Sequence, residues 1–221
     1  MARNGLSKND AGALAHLRRQ CRIMRRLINQ HGDCKLKRQR RSPFEALVRA
    51  VAHQQLNGTA AETILRRFLA LFPDTRFPRA EQLAAVSDDA LRAAGFSRGK
   101  IKSIRDIAEK TISGIVPDAR RIARMDNEEI IERLTQVHGV GRWTVEMLLM
   151  FTLGRPDVLP ADDFGVRNGY RIAFGLAEMP SPKEVLAFGE RWSPYRTTAS
   201  WYLWRAADAA RQRKALKGVN A

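Results

Sequence analysis

The chain has 221 residues, 44% of them apolar, which is enough for a buried core and for two small lobes. Its apolar residues recur at helix-like spacings with no long uninterrupted run, so no membrane span is visible. Lys and Arg number 39 against 23 Asp and Glu, and the resulting excess of 16 positive charges is more than solubility requires and points to a polyanionic partner.

In chain order, the opening MARNGLSKND has charges but no apolar h-region, so no export signal is expected. Leu14, Leu17, Cys21, Met24 and Leu27 then form one apolar stripe at helical spacing. The basic run Lys35, Lys37, Arg38, Arg40 and Arg41 either contacts phosphates or is a solvated segment. Further helices are predicted around Leu47 and Val51 and around Ile64, Leu65, Phe68 and Leu69, with breaks at Ser42-Pro43, Phe72-Pro73-Asp74 and Phe77-Pro78. Ser87 caps a short helix that Gly95 ends, and the next begins near Ser97 and carries Ile101, Ile104 and Ile107. Strand-like alternation is essentially absent, and about ten helices result. Cys21 and Cys34 belong to no CxxC pair and suit a reducing interior, cytoplasmic or nuclear. The predicted class is all-α, with a middle lobe over 43–155, a second lobe from 1–42 plus 156–221, and a substrate cleft between them.

The most informative stretch is Val137-His138-Gly139-Val140-Gly141 followed by Arg142-Trp143-Thr144-Val145. Ile130, Ile131 and Leu134 mark a helix before it, and Val145, Leu148 and Leu149 one after it. Two glycines one residue apart permit a sharp turn and leave the backbone amides open to an anion at a helix N-terminus. A bare GxG is usually an ordinary helix end. The flanking apolar residues and the basic Arg142 complete the pattern of a DNA-binding helix-hairpin-helix.

The stretch LTQVHGVGRWTVEMLLMFTLGRPDVLPADDFGVRNG resembles the hairpin-plus-aspartate signature of the helix-hairpin-helix DNA glycosylases, and in particular the 3-methyladenine DNA glycosylase II family. PFEALVRAVAHQQLNGTAAETILRRF, AAGFSRGKIKSIRDIA and ERWSPYRTTASWYLWRAAD resemble that family too, so the likeness extends over roughly residues 43 to 210. It implies a compact, all-helical enzyme of base excision repair that takes alkylated purines from duplex DNA after base flipping, needs no cofactor and works as a single chain. His138 departs from the pattern, at a hairpin position that is frequently Pro.

The resemblance makes Asp163 the catalytic residue, 163 − 141 = 22 positions after Gly141. Taken alone, Asp162 or Asp163 reads as the cap of a helix starting near Phe164. The two roles are compatible, because a helix N-terminus favours a negative charge and a fixed anion stabilises the cation that grows on the sugar as the base departs. Relatives that also nick the strand carry a Lys just after the hairpin as a Schiff-base nucleophile. Here that position is Trp143, which implies a monofunctional enzyme that leaves an abasic site.

Trp143 and Trp204 resemble the family's base-contacting aromatics, with Met147 and Tyr202 beside them; plain core packing is the alternative for either Trp. Gln55, Leu56 and Asn57 resemble the loop that fills the space left by the flipped nucleotide, Leu56 being the wedge, and the alternative for Leu56 is a core residue at a helix end. His138, Gly139, Val140, Gly141, Arg142 and Thr144 are the expected DNA-binding hairpin. The carbonyls of Thr135, Val137 and Val140 are the positions at which the family binds a monovalent cation, Na or K. The competing readings are a non-catalytic helix-hairpin-helix DNA-binding protein and a bifunctional glycosylase and lyase.

Overall fold

A computed structural model describes residues 8–56 and 58–219, in which every regular element is helical. In chain order these are α1 (Lys8–Gln20), α2 (Arg22–His31), α3 (Pro43–His53), α4 (Gly58–Ala70), α5 (Ala80–Ala85), α6 (Asp88–Ala94), α7 (Arg98–Ile112), α8 (Ala119–Ile122), α9 (Asn127–Leu134), α10 (Arg142–Met147), α11 (Phe164–Phe174), α12 (Pro182–Gly189) and α13 (Arg196–Val219). The starts are written in side chains. Ser42, Ser87, Ser97, Asp126 and Ser181 each accept an amide proton from the first turn that follows. Gly95 ends α6 in the left-handed conformation at φ 108°.

The chain divides into two units, one formed by residues up to Arg38 and from Gly154 onward, the other by Gln39–Leu153. The boundaries therefore lie at 38/39 and 153/154, earlier than the predicted 42/43 and 155/156. On the N-terminal side the cause is local: the Gln39 amide donates to the Phe151 carbonyl at 2.6 Å, so residues before Pro43 already belong to the middle unit.

In the first unit the stripe predicted as one helix is two. Cys21 is extended, at φ −150° and ψ 118°, and the helices on either side still bury Leu14, Leu17, Met24, Leu27 and Ile28 in one core. That core includes Val166, Tyr170, Val185, Trp192, Tyr202 and Leu203. Here α11 runs so close to α13 that a Cβ on Gly169 would overlap the Leu203 carbonyl. The segment leading to α11 is tied to the start of α13: Arg196 donates to both oxygens of Asp157, at 2.7 and 2.9 Å. Burial works against ionisation of Asp157, but its hydrogen bonds from Arg196 and Ser193 outweigh that and hold the carboxyl below its ordinary range. The Thr197 hydroxyl donates to the Arg155 carbonyl at 2.7 Å and accepts the Val158 amide at 3.1 Å.

The second unit packs α7 against α3, α5 and α6, with Leu47, Val51, Phe68, Ile104, Ile107, Leu134, Val145 and Leu149 in its core. Its last helix changes pitch: beyond α10, Leu148–Leu153 form a π-helix, a wide-turn geometry that is frequent at functional sites.

Replacing Gly169 by Ala is expected to force α11 and α13 apart and to destabilise the chain by about 1–3 kcal/mol, the ordinary cost of overpacking. A chemical denaturation midpoint equal to the parent's would contradict the close crossing.

Candidate active site

Asp163 is the N-cap of α11, and its Oδ1 accepts the Val166 amide at 2.7 Å. The same oxygen accepts the indole N–H of Trp204, also at 2.7 Å, from α13. Two donors from two helices thus fix one carboxylate oxygen, and a hydrogen bond to an ionised acceptor is the stronger kind. The arrangement needs Gly165. A Cβ there would lie 2.8 Å from Trp204 Cδ1 and 3.0 Å from Asp163 Oδ1, closer than side-chain carbons pack. Gly165 and Gly169 stand one helical turn apart, and together they let α13 lie against α11. The sequence carried this signal in the Gly-x-x-x-Gly spacing of α11, which pattern reading passed over.

Trp204 is half-buried, and its N–H is engaged with the carboxylate. Tyr202 corrects the expectation: it is fully buried, and its hydroxyl donates to the Gly32 carbonyl at 2.7 Å. It therefore packs the core of its unit and lines no base pocket, and burial raises the phenol well above its ordinary range. The two positions differ by 204 − 202 = 2 residues, about 200° around a helix, so one faces the core and the other does not.

In the second unit a cavity of about 680 Å³ has Trp143, Met147, Leu148 and Phe151 on its apolar wall and Arg41, Arg49 and Gln54 among its polar lining. Trp143 is 44% exposed, unusual for the largest apolar side chain and suited to contact with a planar ligand. Arg49 pairs with Glu45 at 2.9 Å. Burial, then the neighbouring Arg49 guanidinium, lower the pKa of Arg41. Of the basic run, Arg41 thus belongs to the cavity wall, whereas Lys35, Lys37, Arg38 and Arg40 are exposed.

The loop after α3 presents Leu56 at 40% exposure, so Leu56 is not a core residue. Before it Gln55 has φ 56°, the one non-glycine residue in the left-handed region among those described, a conformation that persists only where the surroundings impose it. Asn57 lies outside the described residues.

The hairpin turns at Gly139, φ 77°, with Gly141 as the N-cap of α10. His138, Gly139, Gly141 and Arg142 are exposed, while Val140 is buried and anchors the turn. Two expected contacts differ from the sequence reading. Thr144 is buried and faces the cavity wall instead of standing on the surface, because it begins the turn of α10 that packs inward. Arg142 is engaged already: it donates to both oxygens of Glu128, at 2.7 and 3.0 Å, and to Glu146 at 3.2 Å. Its hydrogen bonds to Glu128 are the main reason its pKa is raised. It therefore ties α9 to α10 as well as carrying charge.

Among the described residues no group of three or more His, Cys, Asp or Glu side chains is placed to hold a metal. Cys21 and Cys34 are not joined in a disulfide, and among the described residues no helix is long and apolar enough to cross a membrane.

The fold and this geometry have known counterparts. Residues 48–194 match the HhH-GPD superfamily of base excision DNA repair proteins, and the chain belongs to that superfamily. It is 46% identical over 188 residues to DNA-3-methyladenine glycosylase 1 of Schizosaccharomyces pombe, covering 84% of this chain and 82% of that one. The solved S. pombe 3-methyladenine DNA glycosylase in complex with abasic DNA superimposes with a TM-score of 0.81 at 45% identity, over 88% of this chain and 95% of that chain. A Bacillus halodurans DNA-3-methyladenine glycosidase gives 0.82 at 36% identity, over 90% of each.

Replacing Asp163 by Ala should free the Trp204 indole proton. One charge-assisted bond of about 1.5–3 kcal/mol corresponds to exchange with solvent faster by roughly tenfold or more. Indole exchange followed by NMR reads this directly, and unchanged protection of Trp204 would refute the bond.

Proposed function

We propose that the chain is a monofunctional DNA glycosylase of base excision repair that hydrolyses the N-glycosidic bond of alkylated purines in duplex DNA. The observation that carries the reading is the carboxylate of Asp163, fixed through one oxygen by the Val166 amide and the Trp204 indole. A carboxylate held this way cannot swing away when positive charge grows beside it, and preorganised charge is the usual source of the largest rate effect. The names of the relatives, glycosylases of 3-methyladenine, support the same substrate class.

The base first leaves the stack, at a cost of a few kcal/mol, and Leu56 enters the space it vacates. The exposed indole of Trp143 receives the base, and its electron-rich face favours a cationic alkylpurine by about 0.5–2 kcal/mol. The bond between the base nitrogen and C1′ breaks with its electron pair going to the base, which departs neutral because it was already positively charged. Asp163 stabilises the oxocarbenium-like sugar, the oxygen of water bonds to C1′, and the proton of that water passes to solvent. No amine stands at position 143 to form a Schiff base, so the product is an abasic site with the strand intact.

Incubation with methylated duplex, scored separately for free base and for strand breaks, tests the reading. Released base without breaks is expected, and Asp163→Asn should abolish release while duplex binding stays within a few-fold. Breaks would favour the lyase reading, and no release by the parent chain a purely DNA-binding role.

The carbonyls of Thr135, Val137 and Val140 are proposed to hold a sodium or potassium ion with a positioning role. They lie at and just past the C-terminus of α9, where the helix dipole favours a cation. At constant ionic strength, exchanging K⁺ for tetramethylammonium, too large for such a site, should weaken duplex binding. Equal affinity in both salts would count against the ion.

A further inference from the structure

The stretch around α7 lies within the residues that match the superfamily, yet the chemistry above assigns it nothing. Its side chains reach two places. Near its start, Lys100 Nζ donates to the carbonyl of Ala52 at 2.8 Å. Ala52 is in the last turn of α3 and fully buried, and its carbonyl is among those a helix end leaves without an intrahelical donor. Burial also lowers the pKa of Lys100.

Further along the same helix, Ser103, Asp106 and Lys110 meet the hairpin. Asp106 Oδ2 accepts the His138 amide at 2.6 Å. Lys110 donates to Asp106 at 2.8 Å and to the Gln136 carbonyl at 2.5 Å. The Ser103 hydroxyl lies 3.2 Å from His138 Nδ1, and it occupies the place a Cβ on Gly139 would need. A third link closes the circuit: Gln54 Nε2, at the end of α3, donates to the Gly139 carbonyl at 2.9 Å. The strained Gln55 and the exposed Leu56 follow it directly.

We propose that Lys100 is a positioning residue for Leu56, and that α7, with Gln54, forms a brace that couples the hairpin's hold on the DNA backbone to insertion of the wedge. Lys100 fixes the end of α3 from which the loop springs, and Gln54 fixes the loop to the hairpin turn. With the chain held at 52 and at 54, directly before it, the left-handed Gln55 is fixed and sets the direction in which Leu56 leaves α3. This rests on the assignment of Leu56 as the wedge.

The probe is a duplex with a tetrahydrofuran abasic analogue beside 2-aminopurine, which reports filling of the gap without base release. Lys100→Met should lower the preference for this duplex over undamaged duplex by about tenfold, the worth of one charge-assisted hydrogen bond, and reduce the 2-aminopurine change. Affinity for undamaged duplex and its salt slope should stay as in the parent, and Lys100→Arg should restore the preference. Gln54→Leu, which cuts the other link at a half-exposed position, should also lower the preference where Lys100→Met folds poorly; because Gln54 lines the cavity as well, it is read only as the ratio of the two affinities. Preference retained in these variants, or lost in proportion to general affinity, overturns the brace. Leu56→Ala distinguishes the two levels: if it abolishes the signal and the Lys100 and Gln54 variants do not, the brace alone fails. If it too leaves the signal unchanged, the wedge assignment fails and the brace with it.

Discussion

The proposed chemistry depends on one oxygen atom, Asp163 Oδ1, receiving two hydrogen bonds from different helices. An N-cap aspartate by itself commonly turns between amide protons and water. Here the indole of Trp204 removes that freedom, and it reaches the carboxylate because α11 has glycines at 165 and 169 where any side chain would push α13 away. The ion pair of Asp157 with Arg196 and the bonds of Thr197 to Arg155 and Val158 hold the incoming chain and the start of α13 together. Packing of the first unit thus orients the Asp163 carboxylate through two neutral donors, a backbone amide and an indole.

The second unit solves a different problem, presenting backbone to an anion without losing the shape of the turn. Gly139 has to be left-handed and unsubstituted, and a turn with so little side-chain mass has little packing of its own. Its rigidity comes from outside, through Asp106 and Lys110 on one side and Gln54 on the other, while Val137 and Val140 are its buried apolar anchors. The paired carboxylate and ammonium of Asp106 and Lys110 suit this task. Burial alone would raise the Asp106 pKa, but its bonds from Lys110 and from the His138 amide outweigh that and lower it, which favours the ionised form as acceptor for the His138 amide.

Features governed by local chemistry were legible in the sequence. Ser-capped helix starts, the Gly95 stop and the reversal at Gly139 each follow from what one residue can do with its own backbone, and all are present. The capping role of Asp163 was legible in the residues and is present, whereas its proposed catalytic role rests on the family pattern, since a capping aspartate and a catalytic one look alike. What sequence could not show is which way a side chain turns once partners compete for it. Arg142 reads as a phosphate contact until Glu128 and Glu146 are found on it, and Tyr202 reads as a pocket aromatic until its hydroxyl is found on Gly32. The break at Cys21 was hidden for a related reason: the apolar stripe continues through it because both helices bury into the same core, so periodicity had nothing to mark the bend.

The aromatic residues separate by the same logic. Trp192 and Trp201 are buried in the core of their unit, where a large apolar surface gains most by leaving water. Trp143 leaves 44% of its surface in water at the wall of a cavity, so its burial contributes less to folding than it would in a core. A site that must receive a flat, charged base gains from an indole face left open, because the cation–π attraction is available only to a ligand that can stack there. The position following the hairpin helix start is therefore occupied by a residue poor for stability and good for recognition. On the proposed reading, the indole in that place leaves no amine at position 143 to attack the sugar, and selectivity for the cationic base and restriction to simple hydrolysis both follow from the same side chain.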